Sequence, residues 1–128
     1  MIIHEIPKIV EAKDLDDLNH VNNVVYLQWV QDVASSHWFS SAGKNTGVIW
    51  VVRKHEIEYL APALLGDELT LKTWVESMEG LTSLRKVEIL RGTELICRCT
   101  SQWIMLDAKS FRPRRISPEL SALFIEPS

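Results

Sequence analysis

Asn23-Val24-Val25-Tyr26-Leu27-Gln28-Trp29-Val30-Gln31-Asp32-Val33-Ala34-Ser35-Ser36-His37-Trp38-Phe39-Ser40 decides the fold. Its apolar residues recur at helical spacing, which predicts a helix over about residues 23 to 40. Tyr26, Val30, Val33 and Trp38, with Val25, Trp29 and Ala34, are expected to spread over more than the usual apolar stripe. Gln28, Gln31, Asp32 and Ser35 mark a narrow polar side. A helix apolar over most of its circumference has to be covered over most of it.

The cover is expected from the residues that follow. Ser41-Ala42-Gly43-Lys44-Asn45-Thr46-Gly47 reads as a loop, and from Val48 the period changes from helical to alternating. Strands are predicted at about 48 to 60, 67 to 78, 82 to 91 and 94 to 107. Alternation is cleanest where Leu69, Leu71, Thr73 and Val75 oppose Glu68, Thr70, Lys72 and Glu76, with Trp74 the one large residue on the polar side. Gly66-Asp67, Glu79-Gly80 and Arg91-Gly92-Thr93-Glu94 supply turns, and short turns imply antiparallel neighbours. Residues 2 to 12 read as a further strand, in which Pro7 cannot donate to a ladder and should mark an edge or a bulge. The fold class is therefore α+β, a curved antiparallel sheet wrapped around one central helix. In the second predicted strand, Ile49, Val51, Arg53, His55, Ile57 and Tyr59 alternate onto one side. If that side faces inward, Arg53 and His55 need partners or a groove to line; strand twist that lets them reach water is the simpler expectation.

The chain has 128 residues, suited to one domain spanning 1–128 with a core of its own. A net charge of −3 argues against general nucleic-acid binding, which needs a dominant positive field. Cys97 and Cys99 are the only cysteines and lack further ligands for zinc, so both are expected to be reduced packing residues of a cytoplasmic protein. Glu5 and Pro7 interrupt any secretory leader at the N-terminus, and no apolar run approaches membrane-spanning length.

Polar chemistry concentrates just before the helix, in Asp14-Leu15-Asp16-Asp17-Leu18-Asn19-His20-Val21-Asn22-Asn23. Asn22 and Asn23 are good N-cap residues, and the free N–H groups of a helix start can hold a carbonyl oxygen as negative charge develops on it. A carboxylate upstream could attack that carbonyl or activate a water. In an extended segment Asp14 and Asp16 would point the same way and disfavour each other's charge. His20 could act as a base, orient Asp16 or tie the loop to a carbonyl. Asp and Asn also populate turns for purely local reasons, so a helix-capping loop accounts for the same residues.

The run Asp14-x-Asp16-x-x-x-His20-Val21-Asn22-Asn23-x-x-Tyr26-Leu27 resembles the signature of the hotdog-fold acyl thioesterases, which include the 4-hydroxybenzoyl-CoA and acyl-acyl-carrier-protein thioesterases. Tyr59-Leu60-Ala61-Pro62 with Gly66-Asp67 is similar to the family's strand link. Trp103 to Asp107, Arg112-Pro113 and Ile116 to Leu120 resemble its closing strand and tail. The resemblance implies a hotdog fold and hydrolysis of an acyl-CoA or acyl-carrier-protein thioester, with Asp16 as catalytic carboxylate and the helix start at Asn23 holding the oxyanion. His20 and Asn22 would shape the substrate site and Tyr26 would line it, whereas the position of Tyr26 one turn into the helix by itself predicts a core residue. It implies no metal and no cofactor, and a homodimer or homotetramer with sites between subunits. Two positions depart from the pattern. Leu18 stands where the plant acyl-carrier-protein branch has a catalytic Asn, which shifts weight to Asp16. Asn19 stands where many bacterial relatives have Gly, and Asn tolerates the positive φ such a turn needs. A hydratase or dehydratase using His20, or a non-catalytic thioester binder, stays compatible with the fold. Arg112, Arg114 and Arg115 could meet coenzyme A phosphates or form a solvated tail.

Overall fold

A computed structural model describes residues 1–126. Strand β1 covers His4–Ile9, helix α1 Asn23–Ala42, β2 Val48–Tyr59, β3 Glu68–Glu79, β4 Thr82–Arg91, β5 Glu94–Asp107 and the short α2 Pro118–Ala122. The strands form one antiparallel sheet in the order β1-β3-β4-β5-β2, with α1 laid across one face in the hotdog arrangement. Pro7 lies on the edge strand β1 opposite Thr70, where its missing N–H costs least.

The helix begins where Asn22 accepts from the Val24 N–H at 3.1 Å and ends at Gly43, whose φ of 80° is open to glycine at little cost. Its buried residues, Tyr26, Trp29, Val30, Val33, Ala34, His37 and Trp38, recur at three- and four-residue steps and so form one stripe. Val24 and Phe39 stay largely exposed beside Gln28, Asp32 and Ser35. The expectation of cover over most of the circumference is corrected accordingly: within one chain the sheet covers a single side. The facing layer is Leu69 and Leu71 of β3, Val87 and Ile89 of β4, and Cys97 and Cys99 of β5. Both thiols are free and buried, and burial pushes Cys97 up to about 12, so it packs as a small apolar residue.

The series along β2 does not share one face. The ladder to β5 shifts register between Val52 and Lys54, so the extra residue Arg53 bulges out to solvent. Ile49 and Val51 before it are exposed, whereas His55 and Ile57 after it turn inward. A bulge thus does what strand twist was expected to do for Arg53, and His55 finds Ser101 Oγ at 2.6 Å.

The C-terminal segment returns to the sheet. Arg114 donates its N–H to Met105 O, Ile116 donates to Gly80 O, and Ser117 caps α2 by accepting from Leu120 N–H. Phe124 is fully buried, stacked on Trp38 at 5.5 Å and edge-on to His37 at 4.9 Å. No helix among the described residues is long and apolar enough to cross a membrane.

Candidate active site at the start of the long helix

Between β1 and α1 the chain makes a 3-10 turn, Ala12–Asp14, and then a tight loop closed by a bridge between Leu15 and Val21. Asp14 is buried, and its Oδ2 turns back to accept from Glu11 N–H at 2.9 Å while its carbonyl accepts from Asn22 N–H. The carboxylate of Asp16 turns forward instead: Oδ1 accepts from Leu18 N–H at 2.9 Å and from His20 N–H at 3.2 Å. The extended Asp14/Asp16 pair expected from the alternation does not form, because the 3-10 turn breaks the two-residue period and commits Asp14 to the backbone. Asp16 is left as the one half-buried carboxylate of the loop, with no partner for Oδ2 among the described residues.

Loop closure depends on Asn19, whose φ is 60°. Asn adopts this left-handed conformation more readily than other residues with a Cβ. It lets Asp16 N–H donate to His20 O at 2.8 Å and Asn19 N–H to Asp16 O at 3.1 Å. The backbone of His20 therefore orients Asp16, whereas its imidazole is exposed and makes no hydrogen bond among the described residues.

At the helix start the side chain of Asn22 takes Val24 N–H and its carbonyl takes Val25 N–H. Asn23 N–H has no acceptor among the described residues, as expected of a first-turn donor, and it carries the positive end of a 20-residue helix. The helix start is also fixed from below, since Tyr59 donates its hydroxyl to Asn23 O at 3.2 Å.

Tyr26 is placed in the core, as its position one turn into the helix predicts, although the family signature that contains it implied a place in the substrate site. It is 3% exposed, its hydroxyl accepts from Ala63 N–H at 2.9 Å, and its ring meets Trp29 and Tyr59 edge-on. It positions rather than contacts, binding the 60–66 link to the helix. Asp67 stiffens the same link by accepting from Leu64 N–H and from Arg91 Nη1 at 2.7 Å. These two partners hold its carboxyl below the usual range. Arg91 reaches Pro62 O with the same nitrogen. The strand-link motif is thus a platform under the site. Sequence reading could not assign that role, because apart from the local Asp67–Leu64 bond its contacts, Tyr26 to Ala63, Tyr59 to Asn23 and Arg91 to Asp67 and Pro62, join residues more than twenty positions apart.

Exposed apolar side chains lie on the loop and on the elements joined to it: Leu18 on the loop, Val24 in the first turn of α1, and Leu60, Leu64 and Leu65 on the link bonded to the loop through Val21 N–H and Ala63 O. This end of the molecule offers a carboxylate oxygen and a helix-start N–H on a loop and helix turn that also carry exposed apolar side chains. That is the equipment for polarising a carbonyl on a largely apolar ligand and delivering a nucleophile to it.

The arginines of the tail lie at the other end. Arg114 bonds Asp107 Oδ2 and Gly47 O, both at 3.5 Å, and Arg112 and Arg115 are exposed. Also at that end is a groove of about 420 Å³ lined by the C-terminal half of α1, which nothing in the sequence reading singled out.

Residues 10–124 match the family described as the Thioesterase-like superfamily. The chain is 30% identical over 105 residues to oleoyl-acyl carrier protein thioesterase 2, chloroplastic, of Arabidopsis thaliana, over 71% of this chain and 28% of that protein. Its counterpart, thioesterase 1, is spanned over 21% of its length. A Bacillus subtilis (strain 168) protein with the provisional name acyl-CoA thioesterase YneP is 25% identical over 119 residues, 87% of this chain and 86% of that one. Among solved structures, the DHNA-CoA thioesterase of Staphylococcus aureus superposes with a TM-score of 0.79 at 22% identity, covering 90% of this chain and 81% of that chain.

Proposed function

Because the chain belongs to the Thioesterase-like superfamily, we propose that it hydrolyses an acyl-CoA or acyl-carrier-protein thioester to a free acid and a thiol. One observation carries the reading: Asp16 is held by Leu18 and His20 N–H through Oδ1 alone, beside a helix whose Asn23 N–H is uncommitted.

The thioester carbonyl oxygen would accept from Asn23 N–H. As a water oxygen bonds to the carbonyl carbon, Asp16 Oδ2 takes its proton and negative charge moves to the carbonyl oxygen, where the helix start stabilises it. Collapse reforms the carbonyl, breaks the C–S bond and expels a thiolate, which regains the proton from Asp16. Direct attack by Asp16 would instead give a mixed anhydride that water then cleaves. A thiolate leaves without strong acid assistance, so the exposed His20 imidazole need not supply a proton. Asn22 keeps the helix start in shape, and Tyr26 holds the platform beneath it.

Liberation of free thiol from a panel of aliphatic and aromatic acyl-CoAs and acyl-carrier proteins, followed with a thiol-reactive dye, tests the reading. Turnover of any member supports it; silence across both carriers sinks it and moves the assignment to a hydratase, dehydratase or binder.

We also place the working form in the cytoplasm, on the strength of the two free thiols, and as a homo-oligomer. The β2 edge is 12 residues long, leaves a row of backbone groups unpaired and carries exposed Ile49 and Val51, which suits pairing with a second copy. Sedimentation equilibrium should give at least twice the 14.7 kDa of one chain. A single protomer at micromolar concentration would overturn the oligomer.

A further inference from the structure

The groove beside the C-terminal half of α1 is lined by donors and apolar walls. Trp38, Phe39, Trp50 and Trp103 form aromatic sides, and among the described residues the charged ones lining it are Lys44 and Arg85, both cationic in a chain whose net charge is −3. Arg85 is 5% exposed, and although burial pulls its pKa down to about 10 it stays charged at neutral pH. A buried cation is costly unless paired.

Among the described residues, Arg85 has no carboxylate within ion-pair distance. Its Nη1 donates to two neutral acceptors, His37 Nδ1 at 2.9 Å and Thr73 Oγ1 at 3.1 Å. His37 cannot offset the charge: it accepts at Nδ1 as a neutral ring, and burial with the Arg85 charge pushes it down to about 4. His4, stacked on His37 at 5.0 Å, is pushed down as well, by burial first and then by Arg85. A guanidinium carries five N–H donors in a fork that matches a carboxylate. Nε and Nη2 have no acceptor among the described residues, and the indole N–H groups of Trp50 and Trp103 are buried without one too.

We propose that this groove binds a free carboxylate on an apolar body, an aryl or alkyl acid whose carboxylate pairs with Arg85 while its hydrocarbon lies among Trp38, Trp50 and Trp103. Lys44, exposed at the rim, adds attraction for the anion. The groove opens at the opposite end of α1 from Asp16, about 20 Å away along the helix at 1.5 Å per residue. The acid half of a thioester belongs to this ligand class, and that link alone rests on the function proposed above.

The test is calorimetric titration, with tryptophan quenching, of biphenyl-4-carboxylate, its neutral carboxamide and decanoate at pH 7.5. Both acids are expected to bind, the biphenyl acid about tenfold more tightly than its amide, because a charge-assisted pair replaces an unpaired buried cation. Lys44→Glu should weaken the acids about fivefold through charge reversal and leave the amide unchanged. Arg85→Met should abolish the preference for acid over amide; should that variant not fold, the acid-to-amide ratio and Lys44→Glu still decide. Asp16→Asn should bind the acids as the wild type does, so failure of the hydrolytic reading and failure of this one are separable. Equal affinity for acid and amide, or no binding of either acid at about 1 mM, where the binding energy would be near 4 kcal/mol, overturns the proposal.

Discussion

Asp16→Asn should lower thiol release by at least about a hundredfold, the low end of what a positioned general base contributes. The substitution is close to isosteric, and an amide oxygen can still accept from Leu18 and His20 N–H, the two donors that hold Oδ1. Loop and helix start should therefore survive, which unchanged thermal unfolding would confirm. What is lost is the basicity or nucleophilicity of the second oxygen. Asp16→Ala removes the loop bonds as well, so it should unfold at lower temperature in addition to losing turnover. Full activity in Asp16→Asn would remove the carboxylate from the chemistry and make His20, whose imidazole is exposed in the same loop, the next group to replace.

Phe124→Ala should cost about 3–5 kcal/mol of stability, the range for emptying a fully buried aromatic site. Phe124 is fully buried, stacked on Trp38 and edge-on to His37, and its cluster includes Val75 with Trp50, Met78 and Leu120 packed around it. The sheet resists collapse into the space, because Val75 is held in register opposite Arg85 of β4. Denaturant unfolding should show a lower midpoint at unchanged slope. A loss below about 1 kcal/mol, within the range of an ordinary substitution, would show that the C-terminal segment only rests on the core.

Local patterns made most of the fold legible. The helix and all four strands after it were readable because each runs for ten residues or more, and the helix, β3 and β4 are followed at once by glycine. Pro7 was readable as an edge residue because its chemistry forbids the alternative. What escaped depends on contacts distant in sequence. The 3-10 turn that commits Asp14 to the backbone shows only as a broken alternation, and the burial of Tyr26 needs Ala63 beside it. Phe124 lies 86 residues from Trp38 along the chain and looks like part of a tail. Of the candidate site, the loop and the helix start at Asn23 could be found from residue type and spacing, which left Asp14 and Asp16 equally open; only the family resemblance singled out Asp16. The platform of Tyr59, Asp67 and Arg91 was visible only as a motif without a role. The groove around Arg85 was invisible, since a lone arginine in an alternating strand reads as a surface residue.

The bulge at Arg53 divides β2 into two phrases with separate reading frames. Before it, even-numbered residues turn inward, with Val48 and Trp50 at the groove; after it the odd-numbered His55 and Ile57 do, leading to Tyr59 beneath the helix start. Because the extra residue absorbs the change of phase, the inward-facing set at one end of the strand is fixed independently of that at the other. Removing Arg53 would restore strict alternation and so turn one end of the strand over, aiming either the groove residues or His55 and Ile57 away from the helix.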